Sequence, residues 1–507
     1  MDRGQLSGAL HALRLWLPRS RPLGVPAEET LMPHLLFIKR VSLWWLVVSL
    51  FLLGTAASHA GATNNPALPS VTWRADDRVL ILAPHPDDEV LACGGLIQQA
   101  VAHKLPVRVI FFTYGDNNQW SFTLYRKHPV LLPSAMRQMG EVRHNEATAA
   151  TTALGLNKEQ LTFLGYPDFG TSKIWSRGWG TNTLFHSMLT HVTAVPYPDA
   201  FRPGAPYKGE EILADLTQLI RAFKPTKVFV SHPADQNGDH RALYLFTRVA
   251  LWNLEHEIQP ELLPYLVHFN RWPTKSGWHP DSALHPPESL ADQLPWRAIT
   301  LSLVECAAKR NALLKHASQT GYASRYLFSF VRANELFGDF PVIHPKNEDT
   351  AKYEAALRTR TGPTTEPADE LTDEERALFV GVVWRYIYRD QDALVFAVEL
   401  SRPLAKTVQA SFSAFGWRHD AAFAAMPKIR VELGEFHYNV FDQTRQLPSE
   451  TVTLERHARE IMVHIPLKLL GDPERVLATA RTYLADLPLD AEAWRVLDLR
   501  ATAPTPM

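Results

Sequence analysis

Val79-Leu80-Ile81-Leu82-Ala83-Pro84-His85-Pro86-Asp87-Asp88-Glu89 sets an unbroken apolar run against one imidazole and three carboxylates. The apolar run reads as a buried strand, and the cluster sits where that strand ends. Burying so much charge is costly unless it serves a cation or a reaction. A second junction repeats the pattern. Lys227-Val228-Phe229-Val230-Ser231 runs into His232-Pro233-Ala234-Asp235 and then Asp239-His240-Arg241. Two polar clusters at two strand ends suggest one divided metal site.

Working outward, Glu89–His103 reads as a helix, Val107–Thr113 as a strand, Ser134–Leu154 as a helix and Leu161–Leu164 as a strand. Glu210–Phe223 is a further helix, Val228–Ser231 a strand, and His240–Leu254 and Leu303–Leu314 are helices. This alternation predicts an α/β unit over residues 76–340, with a mostly parallel sheet covered on both faces. Catalytic groups in such sheets lie beyond the carboxyl ends of the strands, where both clusters fall. Residues 170–207 and 268–297, rich in Gly, Pro, Trp or Tyr, read as long excursions that shape a cleft or simply pack. Residues 345–374 read as a charged, Thr/Pro-rich linker. Beyond it the apolar period switches to two: Val408, Ala410 and Phe412; Ile429, Val431 and Leu433; Ile461, Val463 and Ile465. A smaller all-β sandwich is expected over 375–500. Its Trp417, Phe436, Tyr438, Tyr483 and Trp494 either fill its core or, if exposed, stack on sugars.

At 507 residues two folded units are the natural division, and 46% hydrophobic with 21% charged residues is a globular composition. A net charge of −1 gives no sign of nucleic-acid binding. Cys93 and Cys306 exclude a disulfide scaffold or a multi-cysteine zinc cluster and are expected as buried free thiols. Any metal must therefore rely on His and carboxylate. Residues 1–60 read as an extension outside the fold. Lys39-Arg40 precede the apolar stretch Val41–Leu53, followed by small residues to Ala60, the pattern of a signal peptide. The stretch falls short of the roughly 20 residues that span a bilayer comfortably. An uncleaved anchor, and so membrane association through this segment, stays open. Either way the body of the protein is expected to be exported, to the periplasm or the extracellular space.

His85 and Asp88 stand three apart where a strand enters a helix, so both side chains can turn toward one point, while His240 arrives from a different junction. Two histidines and one aspartate, with a position left for water, describe a catalytic zinc site. Fe²⁺, Co²⁺ or Mn²⁺ also suit such ligands. Asp87 is left over beside the metal, placed to take the proton of a metal-bound water. Glu89 contributes charge at the helix N-terminus, and Asp239 orients His240 or the base. Each of Asp87, Asp88 and Asp239 could instead be a helix cap, but capping explains one aspartate per helix and not a histidine at both junctions.

Ala83-Pro84-His85-Pro86-Asp87-Asp88-Glu89-Val90-Leu91-Ala92-Cys93-Gly94-Gly95 closely resembles the signature of the LmbE/PIG-L family of zinc-dependent N-acetylglucosamine deacetylases. The likeness continues through Arg143-His144-Asn145-Glu146, Leu154-Gly155-Leu156, Gly165-Tyr166-Pro167-Asp168 and Asp239-His240-Arg241-Ala242, and covers roughly residues 76–340. It implies a Rossmann-like deacetylase fold, Zn²⁺ held by His85, Asp88 and His240, and Asp87 as general base. It also implies that Arg143 and Asp168 contact sugar hydroxyls. Asn237 departs from the family, which often carries a histidine there. An asparagine can donate a hydrogen bond to an oxyanion but cannot transfer a proton. That task would fall to Asp87 once protonated, with His232 and His316 as other candidates. The expected activity is removal of the N-acetyl group from an N-acetylglucosamine-type saccharide or glycan. The alternatives are a metal amidase or esterase of other specificity and a non-catalytic glycan-binding protein.

Overall fold

The computed structural model describes residues 68–117, 132–181, 184–346, 348–351, 372–404, 408–484, 487–491 and 493–500. The expected signal peptide or anchor, and residues 352–371 of the expected linker, lie outside the described residues. Among the described residues no helix is long and apolar enough to cross a membrane.

All five residues of β1 (Val79–Ala83) are buried, because the strand is central and covered on both faces. It pairs in parallel with β2 (Val107–Thr113) on one side and with β4 (Lys227–Ser231) on the other. β3 (Leu161–Tyr166) and β5 (Glu261–Tyr265) complete a five-stranded parallel sheet of order β3-β2-β1-β4-β5. The crossovers carry α1 (Asp88–Ala102), α2 (Pro133–Ala153), α3 (Thr171–Arg177), α4 (Gly209–Phe223) and α5 (Gly238–Asn253). The chain first builds outward from β1 to β3, then returns to the opposite side at β4. That reversal opens a crevice beyond the carboxyl ends of β1 and β4, the usual ligand position in such sheets. The expected α/β class is the observed one.

β5 has no counterpart in the pattern reading. It is short, carries Pro264 and lies at the sheet edge, where a proline is tolerated. After it, β6 (Arg297–Thr300) and β7 (Asn334–Phe337) form an antiparallel pair beside α6 (Leu303–Leu313) and α7 (Ala317–Leu327). Glu335 of β7 accepts from the backbone N–H groups of Gly95 and Leu96 in α1 and pairs with buried Lys309 of α6 at 2.6 Å. Cys93 and Cys306 are buried and free.

After α8 (Asp373–Ala377) the strands of the described residues pair in antiparallel sheets. One sheet has the order Thr453–His457 (β14), Glu460–Pro466 (β15), Ala393–Leu400 (β9), Val382–Asp390 (β8). The other runs Arg445–Leu447 (β13), Tyr438–Asp442 (β12), Lys428–Leu433 (β11), Val408–Trp417 (β10), Arg475–Leu484 (β16), Leu487–Ala491 (β17), with Arg495–Asp498 (β18) also on β16. The alternating apolar positions of β10, β11 and β15 enter one buried cluster shared by both sheets. A second set of residues from this region, including Phe415, Trp417, Phe423 and Trp494, belongs to the core of the α/β region instead. There Trp175 of α3 stacks on Phe415 and Phe423, with ring centroids 5.6 and 5.4 Å away.

Candidate metal centre

Pro84-His85-Pro86-Asp87 carries the chain from β1 into α1, with Asp87 at φ 135°, a backbone region that non-glycine residues rarely adopt. The Glu89 carboxylate holds this turn by accepting the Asp87 backbone N–H at 2.9 Å. Its other oxygen lies 3.0 Å from His316 Nε2. The turn brings His85 Nδ1 to 3.2 Å from His240 Nε2 and 3.3 Å from Asp88 Oδ2. His240 Nε2 is 3.1 Å from that same oxygen. Ligand atoms roughly 2.0–2.1 Å from a tetrahedral ion stand about 3.3 Å apart, so this near-equilateral triangle has the edge of such a site.

The charge balance agrees with that geometry. Two imidazoles sit among the buried carboxylates Asp88, Asp168, Asp235 and Asp239. Burial works to lower the His85 pKa, but Asp168, Asp239 and Asp88 outweigh it and hold it well above the usual value. Burial likewise opposes protonation of His240, yet Asp235 and Asp88 lift it to about 9. For Asp88, burial favours the neutral acid, and His240 and His85 overcome this and hold it well below the carboxylate range. Such an excess of buried acid suits a divalent cation.

Each ligand imidazole is steered by a carboxylate on its far nitrogen. His85 Nε2 lies 3.1 Å from Asp168 Oδ1 and 3.4 Å from Asp239 Oδ2. His240 Nδ1 lies 3.0 Å from Asp235 Oδ2. Asp235 is itself fixed by the backbone N–H groups of Asn237, Val267 and His268.

Several of the expected site residues have protein partners of their own. Asp239 was expected to orient His240 or the base, and the carboxylate against the His240 ring is Asp235. Adjacent residues of a helix point about 100° apart. Asp239 therefore faces the loop after β3, accepting from the backbone N–H groups of Phe169 (2.6 Å) and Thr171 (3.1 Å) and from the Thr171 hydroxyl. Asp168, expected at sugar hydroxyls, is buried and committed to His85 and to the Asn117 backbone N–H. Arg143, also expected at sugar hydroxyls, is buried. It donates to the carbonyls of Pro86 (2.7 Å) and Gly115 (3.0 Å) and lies 3.3 Å from Asp87 Oδ1. Gly115 makes room for it, since a Cβ there would fall 2.2 Å from Nη1. Asn237, expected as an oxyanion donor, is also the N-cap of α5: its side-chain carbonyl accepts the Asp239 N–H at 2.8 Å, a bond that engages the amide oxygen and not its NH₂ group.

Asp87 stands beside the triangle, with its carboxyl pushed up to about 7 by burial, against the opposing pull of Arg143. Of the other histidines, His232 packs against Trp296 and Phe340 and accepts the Ala234 N–H, and burial lowers its pKa to about 3. His316 reaches the site through Glu89. His268, which the sequence did not single out, brings its ring centroid to 4.8 Å from that of His240. It follows β5, so missing that strand also hid this histidine. Asp235 had a visible signal, an acid between a strand end and the ligand-bearing helix. Nothing in the sequence ranked it above Asp239.

Residues 80–251 match the family model PIG-L, described as GlcNAc-PI de-N-acetylase. A glucosamine-6-phosphate deaminase-like protein of Bacteroides thetaiotaomicron is 24% identical over 278 residues, 48% of this chain and 36% of the relative. A 1D-myo-inositol 2-acetamido-2-deoxy-alpha-D-glucopyranoside deacetylase of Actinosynnema mirum is 31% identical over 158 residues, 31% of this chain and 48% of the relative. The chain thus spans between about a third and a half of the length of these curated relatives. Among solved structures, the N,N'-diacetylchitobiose deacetylase of Pyrococcus horikoshii aligns at 18% identity and a TM-score of 0.30, over 48% of this chain and 70% of that one. With the parallel sheet and the divided His/Asp triangle around it, the stretch over residues 80–251 is a PIG-L/LmbE family domain.

Proposed function

We propose that this chain is an exported zinc-dependent hydrolase that removes the acetyl group from an N-acetylglucosamine-type saccharide. The observation that carries the reading is the buried triangle of His85, Asp88 and His240 with the Asp87 carboxylate beside it. Two histidines and an aspartate are a zinc-hydrolase ligand set, and three protein ligands leave a coordination position open. When bound, zinc supplies Lewis acidity to the acetamide carbonyl and to the attacking water. Asp87 takes a proton from that water as its oxygen bonds to the carbonyl carbon. Arg143 holds the Asp87 turn by its backbone, and its charge favours the ionised carboxylate against the burial that raises it. Asp87 then returns the proton to the nitrogen as the C–N bond breaks, releasing acetate and an amine. The family description and the 2-acetamido sugar named for one relative support an amino-sugar substrate. Export rests on the segment from Lys39 to Ala60.

The test is release of acetate and of ammonia from N-acetylglucosaminides by the purified protein, with chelator and after zinc is restored. Acetate release that stops with chelator and returns with zinc is the expected result. Ammonia without acetate, or release indifferent to chelator, would overturn the reading.

A further inference from the structure

We infer that Phe169 is the platform on which the substrate's sugar ring stacks, an assignment that rests on the deacetylase reading and adds a contact to it. Phe169 lies in the loop after β3, and that loop is pinned on both sides. Asp168 is tied to His85 and to the Asn117 backbone, while Phe169 and Thr171 donate their N–H groups to Asp239. Gly170 lets the loop settle onto Phe185, because a Cβ there would stand 2.5 Å from that ring. Between these anchors Phe169 takes φ 55°, the left-handed region that disfavours bulky side chains.

The result is an aromatic ring turned outward, 44% exposed, with its centroid 6.5 Å from the ligand imidazole of His85 and the two planes inclined by 31°. An exposed apolar ring on a strained backbone adds little to folding, and asparagine or glycine would fit that backbone better. Its position makes sense once a ligand covers it. The flat face of a pyranose is lined with C–H groups and its rim with hydroxyls. That is the surface an aromatic ring amid polar groups such as Asn117, Asp168 and His85 accommodates. An acyl chain would need a continuous apolar groove instead. The short distance to His85 sets the stacked ring beside the metal triangle, where a 2-acetamido group on that ring can enter.

The experiment compares wild type with Phe169→Ala, Phe169→Leu and Phe169→Trp. Two readouts are used: deacetylation of an N-acetylglucosaminide, and calorimetric binding of the corresponding glucosaminide to the zinc-loaded protein. For Phe169→Ala the expected result is a rise in KM, and a weakening of binding, of about 5–20-fold. The fall in kcat should be much smaller, and zinc content should be that of wild type. Phe169→Trp should restore most of the loss and Phe169→Leu only part. Equal saccharide affinity in wild type and Phe169→Ala, or no saccharide binding at all, would overturn the assignment. Absence of acetate release from wild type alongside measurable, Phe169-dependent saccharide binding would instead reject the deacetylase reading while leaving the platform standing.

Discussion

At the scale of single residues, the site separates holding an ion from moving a proton. Asp88 belongs to the triangle and Asp87 stands outside it, so their substitutions should part. Asp87→Asn should retain zinc and lose about 10²–10⁴ in kcat, whereas Asp88→Ala should lose zinc and turnover together, as read by metal analysis and acetate release. Full activity in Asp87→Asn would remove it as the base. Burial raises the Asp87 carboxyl and Arg143 opposes this, so the base is ionised above its pKa and activity falls as pH drops through it. Arg143→Gln removes the opposing charge. The acid limb of kcat/KM should then move to higher pH by about 1–3 units, the usual effect of one adjacent charge. A limb that stays in place, or moves down, would contradict the pairing. The histidines give a second pH effect. Outweighing burial, the surrounding acids favour bound protons on His85 and His240 in metal-free protein. An incoming cation must displace them, so metal affinity should weaken as pH falls from about 9. Calorimetry in buffers of different ionisation enthalpy should find protons released on zinc binding at pH 7, and none released would refute this.

At the scale of elements, two strand–helix junctions set the site, and both were legible because each pairs an unbroken apolar run with a polar cluster. The geometry inside the junctions was less so. Asp235 and Asp239 are four residues apart and chemically identical. Asp235, in the loop before α5, meets His240, while Asp239, in the first turn of α5, faces the loop after β3. Asp235→Asn should therefore cost about 10–100-fold in zinc affinity, as lost support for a ligand histidine commonly does, and an unchanged affinity would deny Asp235 that role. β5 escaped because Pro264 and its edge position blur the strand pattern, and His268 was lost with it. The resemblance placed Arg143 and Asp168 at the sugar. In the fold their donors and acceptors are turned to the Asp87 turn and to His85. Asn237 likewise serves α5 as a cap. Asn237→Asp should keep stability, while Asn237→Ala should cost about 1 kcal/mol in denaturant unfolding. A large loss of kcat in Asn237→Ala, with stability unchanged, would return it to the oxyanion.

At the scale of the whole molecule, the alternating apolar positions beyond residue 375 announced sheets, but they could not show what those sheets pack against. A unit hung on a linker would keep its aromatics to itself. Here Trp417 donates to the Asn253 side chain at the end of α5, and Lys428 of β11 lies over the Trp179 ring at 4.8 Å. Arg475 pairs with Glu255 and lies over Trp252. α3 joins this interface to the chemistry within a few residues. Its first residue, Thr171, is bound to Asp239, which faces His85, and its Trp175 is clasped by Phe415, Phe423 and Trp494. Trp175→Ala should cost about 3–5 kcal/mol, as truncation of a buried tryptophan generally does. Because α3 carries the anchor of the loop after β3, it should also weaken zinc binding in the protein that remains folded. Val463→Ala, in the cluster between the two antiparallel sheets, should destabilise without touching zinc affinity, since that cluster is separate from the α/β core. Thermal unfolding of wild type should then show one transition that zinc shifts upward as a whole. Two transitions, only the first of them moved by zinc, with Trp175→Ala binding zinc as wild type does, would mean that the sheets and the metal centre are independent.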